Sequence, residues 1–119
     1  MKEKGFKDSR EVAGIRTRAK LIAQGKTTES IPFTAVSIGD IGFAAAPYEM
    51  FDTNGMEIRK DSPYSMTFIC GYTNGHMGYI PSALAYPNGG YEVYVTHYRP
   101  GSGEEFAQEL VRLLNETNK

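Results

Sequence analysis

Glu49, Asn74, His76 and Tyr79 bring a carboxylate, a carboxamide, an imidazole and a phenol into two short blocks of similar layout, residues 46–51 and 71–81. Each block ends an apolar, strand-like run and then presents polar groups at a turn. The four side chains are therefore expected at neighbouring strand ends, the edge on which open α/β sheets build their sites. Glu49 there is a candidate metal ligand or general base. Tyr79, flanked by Gly75, Gly78 and Pro81, is a candidate proton donor or, as phenolate, a ligand for a hard metal. Histidine as a residue type changes charge near neutral pH, which makes His76 a candidate ligand or acid/base.

Each of these residues also has a plainer reading. A carboxylate in the first turn of a helix complements the helix dipole. A tyrosine in a glycine-rich loop packs its ring and solvates its hydroxyl. His76 on a turn is solvated, and Asn74-Gly75 is in itself a turn signal. Cys70, in an apolar strand, reads as a small buried hydrophobe, with a nucleophilic pairing to His76 or His97 as the rival. His97 reads as a partly buried strand histidine.

The set is incomplete for catalysis. A catalytic zinc ion takes three protein ligands plus water. This chain has two histidines, on different elements, with neither HxH nor HExxH spacing. It carries no GxSxG elbow, no P-loop and no GxGxxG. No catalytic residue is assigned within this chain alone.

At 119 residues the chain has the length of one domain with a modest core. Thirteen basic residues against fourteen acidic ones leave a formal charge of −1, which does not favour a nucleic-acid partner. One cysteine excludes an internal disulfide and a Cys-rich zinc motif. No apolar run reaches the length of a membrane span, and the charged start shows no signal peptide, which leaves the cellular location open.

The expected elements are these. A helix covers Ser9 to Gln24, capped by Asp8 or Ser9 with Glu11 at capping-box spacing, and Val12, Ile15, Ala19 and Ile22 line one face. Arg10, Arg16, Arg18 and Lys20 form a basic flank that reads as a solvated face, or as an anion or partner surface. Ile31 to Ile38 and Ile41 to Ala46 form a hairpin around Gly39-Asp40. Pro47 opens a helix that stops before Asp61-Ser62-Pro63. Ser65 to Tyr72 reads as a central strand, Pro81 to Tyr86 as a short helix, and Tyr91 to Tyr98, which alternates cleanly, as an edge strand. A final helix starts near Ser102, with Glu105 at capping-box spacing and Phe106, Leu110, Leu113 and Leu114 as its buried stripe. The fold class is α/β, with a mixed sheet of about four strands and flanking helices. Residues 1–119 form one domain, with the N-terminal helix and turn over 1–30 and an α/β body over 31–119.

The run from Ile38 to Phe51, continued by Gly55-Met56-Glu57-Ile58-Arg59, resembles the IGD…PGE.F…G..IR stretch of the neutral/alkaline non-lysosomal ceramidases. Thr67 to Pro81 resembles that family's strand followed by an N.Y..YIPT-like loop. Gly89-Gly90-Tyr91-Glu92 resembles its YE element, and Pro100-Gly101-Ser102-Gly103-Glu104 its PG.GE helix start. The resemblance runs in order from Ile31 to Leu114. It implies a zinc-dependent amide hydrolase that splits N-acylsphingosine, with two zinc ligands falling on Glu49 and Tyr79. It departs at Tyr48, where the family has a small residue before the glutamate, and at His76, where many relatives carry a tyrosine.

The family's two zinc-binding histidines and its serine nucleophile have no counterpart here. The resemblance therefore implies the carboxyl-terminal part of a catalytic domain, inactive alone. Its partners would be an upstream segment or a second copy, and its substrate an N-acyl lipid or amide. A stand-alone binding module or a gene remnant is the alternative, and a small Cys/His hydrolase a third reading. A part of a larger layered domain should also leave apolar surface exposed or buried in a dimer.

Overall fold

A tight turn at Gly39-Asp40 starts the sheet. In the computed structural model, which describes residues 9–25 and 28–119, Gly39 takes φ +57°, a left-handed conformation that glycine adopts without a Cβ clash. The turn joins β1 (Thr34–Ile38) to β2 (Ile41–Ala45) as an antiparallel pair in the register Ile38↔Ile41 and Val36↔Phe43. After β2 come the short strand β3 (Glu49–Met50), helix α2 (Asp52–Asp61) and β4 (Met66–Cys70). β4 returns parallel to β2, so β2, α2 and β4 form a β-α-β unit. Helix α2 ends at Asp61, and Ser62, before Pro63, is already extended at ψ 141°, as the proline requires.

The architecture is a mixed α/β arrangement with a three-stranded sheet ordered β1-β2-β4 and a separate two-stranded sheet. The second sheet pairs β3 with β5 (Tyr79–Ile80) in parallel. Helix α1 (Ser9–Ala23) precedes the sheet. A 3₁₀ segment (Ala83–Asn88), α3 (Tyr91–Val95) and α4 (Ser102–Thr117) complete the chain.

Helices α2 and α4 cover one face of the larger sheet. Gly42 on β2 is the point of closest approach: a Cβ there would lie 2.5 Å from the Tyr64 ring and 3.1 Å from a Leu114 methyl. Ala44, Tyr48, Ile58, Ile80, Leu110 and Leu114 are fully buried in this layer. Full burial of one such large side chain is worth about 1.5–3 kcal/mol. The opposite face carries the rows Val36–Phe43–Phe68 and Ile38–Ile41–Met66. Val36, Ile38, Met66 and Phe68 are exposed there, with the Phe43 and Phe68 rings stacked at 5.3 Å.

Several elements differ from the sequence reading. Pro47 does not open α2, because the stretch after it pairs as strand. The carbonyls of Pro47 and Tyr48 accept the N–H groups of Met77 and Tyr72, which leaves them no role in a helical turn. β4 lies at the sheet's edge and β2 at its centre, since β4 has β2 alone as neighbour. Tyr91–Val95, expected as a fourth strand, is helical despite its β-branched and aromatic residues. Its C-terminal carbonyls are held by α1: Arg18 Nη1 donates to Val93 O, Tyr94 O and Thr96 O at 3.0–3.1 Å. This tertiary capping outweighs the weak strand propensity.

In α1, Ala19 and Ile22 are exposed, while Arg18 and Leu21 are half-buried. The expected cap Asp8, and the side chains of Arg10, Glu11, Val12 and Ile15, lie outside the described residues. Helix α4 is capped by Gly101 at φ +93°, with no side-chain cap bond. Glu105, expected to close a capping box with Ser102, instead pairs with Arg99 at 2.8 Å.

Candidate functional site

Six backbone hydrogen bonds tie the first block singled out by the sequence to the second and to Cys70 just before it. Ala46 N–H donates to Cys70 O, Thr73 N–H to Ala46 O, Tyr72 N–H to Tyr48 O and Met77 N–H to Pro47 O. Glu49 N–H then donates to Gly78 O at 2.9 Å and Phe51 N–H to Ile80 O at 3.3 Å. The result is a second ladder, in which Glu49 and Tyr79 are direct register partners. Glu49 thus belongs to a strand, and a role in complementing the dipole of a helical first turn no longer applies.

Strand alternation separates Glu49 from its predecessor. Tyr48 turns inward and is fully buried among Phe33, Tyr98 and Phe106, with ring centroids 5.6–6.4 Å away. Glu49 turns outward and is exposed. Tyr48 is therefore a core residue.

The loop between β4 and β5 is bent by left-handed backbone at Tyr72 (φ +52°), Asn74 (φ +61°) and Gly78 (φ +86°). Asn74 takes a conformation asparagine tolerates, in keeping with its turn role. For a tyrosine the same region is strained, and such strain persists where surrounding contacts hold it. Those contacts are visible. The Tyr72 hydroxyl donates to Glu49 Oε2 at 2.7 Å, and its ring stacks on His76 with centroids 4.7 Å apart.

Tyr72 is the residue that sequence reasoning missed. Nothing in its spacing marks it, because its reach to Glu49 depends on the left-handed turn. The hydrogen bond to the Glu49 carboxylate, then desolvation, pushes the Tyr72 phenol up to about 12. The Tyr79 phenol is also raised, first by desolvation and then by the negative charge of Glu49, against an opposing hydrogen bond with Tyr72. Tyr79 is held from behind as well: its carbonyl accepts from Thr96 Oγ1 at 2.8 Å, and its ring meets Tyr91 edge-on at 5.6 Å.

Glu49, Tyr72, His76 and Tyr79 are thus gathered on one ladder and its loop. Cys70 and His97 are not part of it. Cys70 is half-buried on β4 opposite Ala45. His97 lies beyond α3 on a different cleft, lined also by Arg18 and Tyr98. Two oxygen donors, a carboxylate and a phenol, suit zinc in kind and fall short in number. Among the described residues no group of three or more His, Cys, Asp and Glu side chains is placed to hold a metal ion. The described residues alone do not complete a zinc site.

Comparison with known proteins places the fold. No family model matches the chain, and no curated protein matches it in sequence. Among solved structures it is similar to neutral ceramidase from Pseudomonas aeruginosa, at TM-score 0.65 and 21% identity over 72% of this chain. It is similar also to a ceramidase complexed with C2, at TM-score 0.64 and 22% identity over 69% of the chain. The chain spans about 15% and 14% of the length of those two proteins. It therefore has the fold of a part of bacterial neutral ceramidase. Among the described residues no helix is long and apolar enough to cross a membrane.

Proposed function

We propose that this chain is part of a ceramidase-like zinc amide hydrolase, to which it contributes two oxygen ligands, Glu49 and Tyr79, and that it is inactive alone. The observation that carries the reading is the register pairing of these two residues across the β3–β5 ladder. Position-by-position resemblance puts the family's zinc ligands on the same two residues. The raised pKa of the Tyr79 phenol fits as well: beside an anionic carboxylate it stays neutral, and a divalent cation reverses that preference. Held by Glu49, Tyr79 and ligands from outside this chain, a zinc ion would supply Lewis acidity toward an amide carbonyl. The remaining ligands and the nucleophile come from a segment outside this chain, and the substrate is an N-acyl amide of the ceramide type.

The bare sheet face supports the same reading. Six apolar residues in two cross-strand rows, with no charge among them, resemble a layer boundary more than a solvated surface. The test starts with the size of the polypeptide in its source cells, by immunoblot. The reading expects a band several times the 13.2 kDa of this chain. In that larger protein, Glu49→Gln and Tyr79→Phe should each lower zinc content and N-acyl amide hydrolysis together, with the circular dichroism spectrum unchanged.

A stand-alone, non-catalytic binding module is the second reading, favoured by a core to which β2, α2, β5, α4 and the connecting residues Ala46, Tyr48 and Tyr64 all contribute buried side chains. It expects a band at 13.2 kDa and no zinc in the isolated protein.

A further inference from the structure

Tyr72 stands where the backbone asks for a glycine or an asparagine. It takes φ +52° in the turn after β4, and a bulky residue in that region is an outlier that costs stability. Something the side chain does has to offset that cost.

Core packing is not the reason. Tyr72 is 41% exposed and has no place in the buried cluster. The turn is also fixed without its phenol. Tyr72 N–H donates to Tyr48 O at 3.3 Å, Thr73 N–H to Ala46 O at 3.0 Å, and Thr73 Oγ1 to Cys70 O at 3.1 Å.

What the side chain reaches is Glu49 and Tyr79. Its hydroxyl donates to Glu49 Oε2 at 2.7 Å and lies within hydrogen-bonding reach of the Tyr79 phenol. Its ring is held from the side by the stack on His76. One hydroxyl thus meets both residues paired across the ladder. The bond occupies Oε2 of Glu49 and leaves Oε1 for another partner. Without it, Glu49 is an exposed side chain on a two-residue strand, free to rotate along its length. Carboxylates that hold a metal are themselves hydrogen-bonded, and that partner sets their orientation.

We propose that Tyr72 is a positioning residue, which fixes the Glu49 carboxylate beside the Tyr79 phenol so that the two oxygen donors are arranged before a cation arrives. This rests on the reading of Glu49 and Tyr79 as zinc ligands and extends it to a residue that touches no metal. The left-handed turn is the device that carries the hydroxyl to Glu49.

The experiment compares Tyr72→Phe, which keeps the ring on His76 and removes only the hydroxyl, with Glu49→Gln. In the polypeptide as its source cells make it, Tyr72→Phe should release zinc to a chelator about tenfold faster, the lower end of the loss expected for an outer-shell partner. Glu49→Gln should release it faster still. The unfolding midpoint of metal-free Tyr72→Phe should barely move, because the lost bond lies at the surface. A hydroxyl that merely braced the loop would lower the midpoint and leave zinc release unchanged. In this 119-residue chain without metal, carbon-13 relaxation should show a more mobile Glu49 side chain in Tyr72→Phe. Unchanged zinc release in Tyr72→Phe, with zinc lost in Glu49→Gln, overturns the positioning role and leaves Glu49 a ligand. Zinc retained in Glu49→Gln overturns the ligand reading, and the positioning role falls with it. An equally ordered Glu49 in both forms of the chain overturns the orienting effect itself.

Discussion

Glu49 and Tyr79 stand opposite each other across the parallel β3–β5 ladder, and Tyr72 reaches in from the intervening loop to donate to Glu49 Oε2 at 2.7 Å. Two residues thirty positions apart thus share one patch of surface by backbone pairing, before any side-chain contact is counted. The arrangement explains why both phenols depend on a single carboxylate.

That dependence is measurable. Glu49 is the largest cause of the upward displacement of Tyr72, to about 12, and contributes to that of Tyr79 after desolvation. A folded-state pKa above the unfolded value means that the fold favours the neutral phenol. The contribution of Tyr72 is therefore whole below about pH 10, the unfolded value, and is lost as pH climbs through about 12. In a carbon-13 titration of the tyrosine ζ positions, Glu49→Gln should bring both phenols down in pH. Titration of Tyr72 at the ordinary tyrosine value in the unmutated protein would count against the hydrogen bond.

Tyr48 separates packing from polarity within one side chain. Its ring is fully buried among three aromatics, while its hydroxyl is buried without a partner. Burial, then the neighbouring Tyr98, holds that phenol far above the ordinary tyrosine range. Removing an unsatisfied hydroxyl relieves a desolvation cost, whereas removing the ring opens a cavity. In denaturant unfolding, Tyr48→Phe should leave stability unchanged or raise it by about 1 kcal/mol. Tyr48→Gly, which removes the whole side chain, should cost about 3–5 kcal/mol. A neutral Tyr48→Gly would mean that the aromatic cluster does not hold β3 in place.

Gly103 tests the junction of α4 with the β5 side of the molecule. A Cβ there would lie 2.9 Å from the Pro81 carbonyl oxygen and press on Asn54 Nδ2. Alanine is favoured over glycine inside a helix by about 1 kcal/mol. Overpacking against backbone costs about 1–3 kcal/mol, so steric cost should win. Gly103→Ala is expected to lower the unfolding midpoint. A rise would show that the helix start shifts freely off Pro81.

The legible parts of the fold were those set by local chemistry. Gly39-Asp40 fixed the hairpin, Pro63 ended α2, and the 3.6-residue period of Leu110 and Leu114 marked the buried face of α4. Glu49, His76 and Tyr79 were legible as a group because each follows a strand-like run in a similar setting. What stayed hidden was set at a distance. Tyr91–Val95 alternates like a strand, and its helical state rests on an arginine more than seventy residues upstream. The short strand at Glu49 was masked by Pro47, whose preference for a helix start gives way to pairing with the β4–β5 loop. Tyr72 carried no signal at all, since its reach to Glu49 exists only once the β4–β5 loop has taken its left-handed turn.

Arg18 carries the attachment of α1. One guanidinium nitrogen serves three carbonyls at the end of α3, where the helix dipole also favours a cation. The basic flank of α1 therefore includes at least one residue with a structural partner. Charge-assisted bonds to half-buried carbonyls are worth about 1.5–3 kcal/mol, discounted here for partial exposure. Arg18→Met keeps the aliphatic stem and removes the donors. Hydrogen exchange should then quicken in α1 and α3 together, while β1, β2 and α4 keep their protection. Lysine at this position should rescue, because the three carbonyls converge on one nitrogen and an ammonium presents three donors from a single atom. If α3 keeps its protection in Arg18→Met, its helical state comes from its own residues and the capping account fails.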